Sequence, residues 1–95
     1  MLYRILTERR DNLQGIVSKY FDAATIYDAM GLWRGTREES TAIELDDSGR
    51  DAREFRSKVD VLAEEIRETN KQEAVLVQEW PVISHLVAKP VQVAA

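Results

Sequence analysis

The sequence predicts an α+β domain with the element order strand, helix, strand, strand, helix, strand, and three observations carry that expectation. Leu2 to Thr7 alternates at period two and is rich in strand formers. Phe55, Val59, Leu62, Ala63 and Ile66 fall at i, i+4, i+7, i+8 and i+11, the spacing of one helix face. Two further strand-like runs lie on either side of Gly35, as in a hairpin.

Each element follows from its own residues. The first strand sets Tyr3, Ile5 and Thr7 against Leu2, Arg4 and Leu6. Leu13, Ile16, Val17 and Tyr20 then make the stripe of an amphipathic helix from about Arg9 to Tyr20, which Phe21-Asp22 ends. Gly15 weakens that helix by only about 1 kcal/mol. Ala24 to Trp33 is the second strand, Gly35 to Glu39 the hairpin connection, and Thr41 to Leu45 the third strand. Asp46-Asp47-Ser48-Gly49 reads as a turn and helix start, with Asp47 or Ser48 able to cap the free N–H groups that follow. The second helix runs from Asp51 to about Asn70, and Ala74 to Val77 is the fourth strand. Pro81 ends that strand or confines its continuation to an edge. Val82 to Val87 is expected as a further short strand or a partner-facing arm, and residues 88–95 as a loose tail beyond a single domain of residues 1–87.

Right-handed crossovers in both strand-helix-strand units place strands one and three at the sheet centre and both helices on one face. The result is a ferredoxin-like βαββαβ sandwich with sheet order 4-1-3-2. Its other face would be uncovered although apolar residues point there, Leu2 and Leu6 or Tyr3 and Ile5 depending on register. Cover would come from a homo-oligomer, a sheet-to-sheet dimer or a trimer with sheets inside, or from a C-terminal arm folded across.

At 95 residues the chain suits one core, and its 44% hydrophobic and 32% charged content is that of a folding domain. Net charge is −4, and the excess is local: Asp28, Glu38, Glu39, Glu44, Asp46 and Asp47 face only Arg34 and Arg37 between Asp28 and Asp47. No basic run extends beyond Arg9-Arg10, which argues against nucleic acid as a partner. With no cysteine there is no disulfide frame, thiol nucleophile or cysteine zinc site. Charges at Arg4, Glu8, Arg9 and Arg10 interrupt what would be a secretion signal's apolar core, and no run is long enough to span a membrane. A cytoplasmic setting is the expectation.

The topology gathers one candidate site. The end of strand one, the hairpin and the approach to strand four share one end of the sheet. This rim holds Thr7, Glu8, Arg9 and Arg10, then Trp33, Arg34, Thr36, Arg37 and Glu38, and also Gln72 and Glu73. Arginines offer bidentate recognition of an anion, a helix start adds its free N–H groups, and Trp33 offers a stacking surface for a ring. A small anionic or nucleotide-like ligand at Arg9, Arg10, Trp33, Arg34, Arg37, Gln72 and Glu73 follows. The plainer alternative is that Arg34, Arg37, Glu38 and Glu73 pair with one another around a hairpin. Trp80, Val82 and Ile83 read as an interface anchor beside Pro81. The mixed charges on the outer face of the second helix read as a solvated surface.

Catalytic signatures are sparse. His85 is the one histidine, and no nucleophile elbow, phosphate loop, dinucleotide fingerprint or metalloprotease helix is present. Glu38-Glu39 and Asp46-Asp47 are neighbours whose side chains point to opposite strand faces, so they make no acid-base pair. Asp46-Asp47-Ser48-Gly49 lacks the ligand spacing of a calcium loop, and no metal site or cofactor is named by the residues. Glu8, Glu38 and Glu73 are the candidates for a carboxylate-based enzyme.

Gly31-Leu32-Trp33-Arg34-Gly35 with Arg37-Glu38, and later Asn70-Lys71-Gln72-Glu73-Ala74-Val75, resemble a loose set of small bacterial and bacteriophage proteins. These share a Gly-x-Trp strand end and a Gln-Glu before the last strand. The likeness spans about Phe21 to Val77 and implies the fold rather than an activity. In architecture the chain also resembles oligomeric regulators of the nitrogen-signalling kind, which bind nucleotides between subunits. Its hairpin connection is far shorter than their signalling loop. Three functions follow in order: a ligand-binding oligomer, a protein-interaction or inhibitory module such as a phage accessory protein, and a small enzyme.

Overall fold

The computed structural model describes residues 1–90. The last five residues of the expected tail, 91–95, lie outside the described residues. Six elements follow in order: β1 (Leu2–Glu8), α1 (Leu13–Ser18), β2 (Thr25–Trp33), β3 (Thr36–Asp46), α2 (Ala52–Thr69) and β4 (Leu76–Trp80). All strand pairs are antiparallel and the order across the sheet is β2-β3-β1-β4, the expected ferredoxin-like arrangement.

The core lies between one sheet face and the helices because the two periodicities meet there. Tyr3 and Ile5 of β1 stand opposite Leu45 and Ile43 of β3, and all four are buried. Leu13, Ile16 and Val17 of α1 cover them together with Phe55, Val59, Leu62, Ala63 and Ile66 of α2. Phe55 links the layers, with its ring 5.7 Å from Tyr3 and 5.1 Å from Phe21. Each such fully buried apolar side chain contributes about 1.5–3 kcal/mol relative to exposure.

Several boundaries differ from the sequence expectation, each for a local reason. α1 is six residues rather than the span from Arg9 to Tyr20. The Arg9 N–H still donates to the Glu39 carbonyl at 3.2 Å, so the chain leaves the ladder with β3 only after Arg9. β3 begins at Thr36 rather than Thr41, which reduces the hairpin connection to Arg34-Gly35. Both turn residues have positive φ, 50° and 78°, the conformation whose twist matches the strands it joins. α2 is capped by Asp51, not Asp47 or Ser48: its carboxylate accepts from the Glu54 N–H at 2.9 Å, while Asp46 takes the Ser48 N–H. β4 is shifted to Leu76–Trp80 from the expected Ala74 to Val77. Its register opposite β1 pairs Leu6 with Leu76 and Leu2 with Trp80, and Pro81 ends it. Val82 to Val87 forms no strand in this chain. Among the described residues no helix is long and apolar enough to cross a membrane.

Candidate ligand-binding surface

The rim divides into two parts. At its base, the Gln72 carboxamide is buried against Thr7. Its Nε2 donates to Thr7 Oγ1 at 2.7 Å, and its Oε1 accepts the Glu8 N–H at 3.2 Å. Arg9 lies between two carboxylates, 3.3 Å from Asp28 of β2 and 3.3 Å from Glu39 of β3. Arg10 pairs with Glu8. Glu73 is exposed.

The tip of the hairpin is elsewhere. Thr36 is four residues beyond Ser40, the partner of Glu8, which sets the Trp33–Thr36 pair about 13 Å past the end of β1. Trp33 is 62% exposed and carries the Arg34 guanidinium over its ring at 5.5 Å, while Arg37 is exposed. The fold therefore brings Arg9, Arg10 and Gln72 together and holds Trp33, Arg34 and Arg37 apart from them on a projecting hairpin. Among the described residues, Arg34, Arg37, Glu38 and Glu73 make no ion pair, so the alternative of mutual pairing around the hairpin is not what holds them.

A second polar set, which the sequence reading missed, lies on the sheet face away from the helices. The strand registers put Thr25, Glu44, Arg4 and Gln78 in one row across all four strands. Tyr27, Ala42, Leu6 and Leu76 form the adjacent row on the tip side; Asp46, Leu2 and Trp80 form the one on the other side. A charged stripe thus crosses an otherwise largely apolar face. Tyr27 donates its hydroxyl to Glu44 Oε2 at 3.2 Å. Arg4 donates from Nε and Nη2 to Gln78 Oε1 at 3.1 and 2.8 Å, and its guanidinium lies 5.2 Å from the Trp80 ring centre. Tyr27 is 40% exposed and Leu76 54%, so among the described residues nothing covers them fully. The signal existed in the alternation of β1, but the row could not be assembled without the strand registers.

Of the expected interface residues, Trp80 is half-buried at the edge of this face and Val82 is half-buried after Pro81, while Ile83 is fully exposed. The Asp46 carboxyl is held below its usual range, first by the nearby Ser84 hydroxyl and then by Ser48, which donates to Oδ1 from its N–H at 2.9 Å and its hydroxyl at 2.7 Å. The arm thus brings Ser84 near Asp46 at the end of β3, while Ile83, Leu86 and Val87 stay exposed. Among the described residues no three metal-ligating side chains cluster. The concave spaces are shallow clefts, one of about 260 Å³ between Phe21, Gly49, Arg50 and the first turns of α2.

No protein-family model matches the chain, and no curated protein matches it. Among solved structures it is similar to a phage SAM lyase in complex with S-methyl-5′-thioadenosine, with a TM-score of 0.66 and 23% identity over 80% of this chain and 76% of that one. The apo state of a phage SAM lyase is similar too, with a TM-score of 0.63 and 24% identity over 80% of this chain and 75% of that one. These neighbours are phage proteins, in keeping with the resemblance read from the sequence, and at this identity the likeness establishes a shared fold.

Proposed function

We propose that this chain is a small oligomeric phage-type protein that binds a thioadenosine nucleoside on the open face of its sheet, under a second copy, and that S-adenosylmethionine is its substrate. The observation that carries the reading is the Tyr27–Glu44 pair on an exposed face that also offers Arg4. It is supported by a fold shared with a protein that holds S-methyl-5′-thioadenosine.

The row has the chemistry such a molecule needs. A half-exposed tyrosine ring offers a stacking surface for adenine, and Glu44 offers a negative charge for a sulfonium. Arg4, already held in plane by Gln78, offers donors to an amino-acid carboxylate. From β2 to β4 is three strand spacings, about 14 Å, which suits an extended nucleoside-amino acid conjugate. As the substrate's own carboxylate attacks its γ-carbon and closes a lactone, the sulfur-carbon bond to that carbon breaks; its electron pair goes to sulfur and removes the positive charge. A site built around Glu44 therefore releases the thioether product more readily than it releases the substrate. The exposed Arg34 and Arg37 on the hairpin are available to a further anionic group, in line with the rim reading.

The test is titration calorimetry with S-adenosylmethionine and S-methyl-5′-thioadenosine, alongside chromatography for thioadenosine released from S-adenosylmethionine. Wild type is expected to bind both and release product. Glu44→Gln is expected to lose at least tenfold in affinity for the sulfonium compound and much less for the thioether. Absence of binding to either compound rejects the reading.

A second reading, an interaction module, is favoured by the exposed Leu32 and Trp33 at the hairpin tip. It predicts that Trp33→Ala abolishes capture of a protein partner while Glu44→Gln leaves capture unchanged.

A further inference from the structure

We infer that the outer edge of β2 pairs antiparallel with β2 of a second copy, with Ala29 at the two-fold axis, to join two four-stranded sheets into one. β2 is a nine-residue edge strand bonded to β3 on one side only. Edge strands are normally blunted by proline, lysine, a bulge or a covering segment, since their free N–H and C=O groups otherwise template further pairing. Thr25–Trp33 has no proline and no lysine, and its register with β3 runs without a bulge from Thr25 to Trp33. Ile26, Tyr27, Met30, Leu32 and Trp33 are each at least 40% exposed.

The occupant follows from the composition of the strand, which is complementary to itself. Pairing centred on Ala29 sets Asp28 opposite Met30 of the second copy, Tyr27 opposite Gly31, Ile26 opposite Leu32 and Thr25 opposite Trp33. Each pair shares a face, as antiparallel pairing demands. No like charges oppose each other, because the one charge in β2, Asp28, faces Met30 and is already bridged by Arg9. Gly31 presents no side chain opposite Tyr27 of the second copy, so this pair meets without a clash on the ligand-bearing face while Tyr27 keeps its bond to Glu44. The interface is isologous, so it closes at two copies through this edge. It is distinct from cover over the open face, and both ligand-bearing faces end on the same side of the joined sheet.

The chain has no cysteine, so single introduced thiols report the register without background. The experiment compares disulfide formation in Ala29→Cys, Leu32→Cys and Ile83→Cys under mild oxidation and without nucleoside, and measures the sedimentation mass of wild type, Ala29→Lys and Met30→Lys. Circular dichroism checks that each variant is folded. In the inferred pairing two Ala29 positions meet within the ~4.4–6.8 Å that a disulfide spans, whereas two Leu32 positions lie six residues apart along the strand, about 20 Å. Ala29→Cys is expected to crosslink at least tenfold faster than Leu32→Cys. Ala29→Lys, which opposes two cations at the axis, is expected to weaken association at least tenfold, while Met30→Lys, facing Asp28 of the second copy, retains it. Equal crosslinking at 29 and 32, crosslinking led by Ile83→Cys, or a folded wild type that stays monomeric overturns the inference. Nucleoside binding is read in a separate measurement, so either proposal can fail alone.

Discussion

The Gln72 carboxamide closes the gap between the last two elements and the first strand by bonding Thr7 Oγ1 at 2.7 Å, far from it in sequence and buried with it. The same carboxamide takes the Glu8 N–H, so one side chain satisfies the end of β1 and fixes the approach to β4. Among the described residues no buried side-chain polar atom lacks a partner. Gln72→Ala removes these bonds and leaves the Thr7 hydroxyl without its partner in a dry position, which costs about 1–3 kcal/mol. Urea unfolding of the two proteins checks this, and an unchanged midpoint refutes it.

Lys71, the residue after the Asn70 cap of α2, has φ 54°. Its N–H donates to the Glu68 carbonyl and the Gln72 N–H to the Arg67 carbonyl, the bonding of a helix stop that normally uses glycine. Lys71→Gly relieves the left-handed strain at a surface position and is expected to raise stability by about 0.5–1 kcal/mol, read as a higher midpoint in thermal unfolding.

Glu65 of α2 receives Lys19 Nζ at 2.8 Å and the Tyr20 hydroxyl at 2.6 Å, and these bonds, Lys19 first, hold its carboxyl below the usual range. A carboxyl whose folded value is depressed adds stability above its unfolded value and loses that addition as pH falls through the folded one. Stability is therefore expected to decline on acidification from about pH 6 to about pH 3. Glu65→Gln is expected to flatten that part of the profile, measured by denaturant midpoints across the range.

Asp46 is likewise held low, first by Ser84 and then by Ser48, so the nearness of Ser84 ties the arm after β4 to the end of β3. Acidification through the depressed value protonates Asp46 and weakens the tie. Ser84→Ala is expected to speed limited proteolysis after Trp80 at neutral pH while the unfolding midpoint of the domain stays within about 0.5 kcal/mol of wild type. Cleavage at an unchanged rate refutes the tie.

Element type was legible wherever one periodicity dominated. The spacing from Phe55 to Ile66 defined α2, and the alternation of β1 marked a strand, because burial on one face imposes those periods directly. Boundaries were less legible where two local signals competed. Arg9 to Asn12 is compatible with a helix start, but the bond from Arg9 to Glu39 keeps the chain in the ladder and delays α1 to Leu13. Thr36 to Ser40 carries turn-like polarity, yet pairing with Gly31, Leu32 and Trp33 extends it as strand.

From the sequence by itself came the α+β class, the element order, the sheet order and an apolar sheet face not covered by the helices. All of these follow from hydrophobic periods and chain connectivity. The tertiary structure alone decided which residues meet. It separated Trp33, Arg34 and Arg37 from Arg9, Arg10 and Gln72, and it aligned Glu44, Arg4 and Gln78 in a row with Tyr27 in the row beside it. The reason is register: a slip of one residue in any strand would send each of those side chains to the opposite face, and register is set by the cooperative fit of the whole core rather than by any local run.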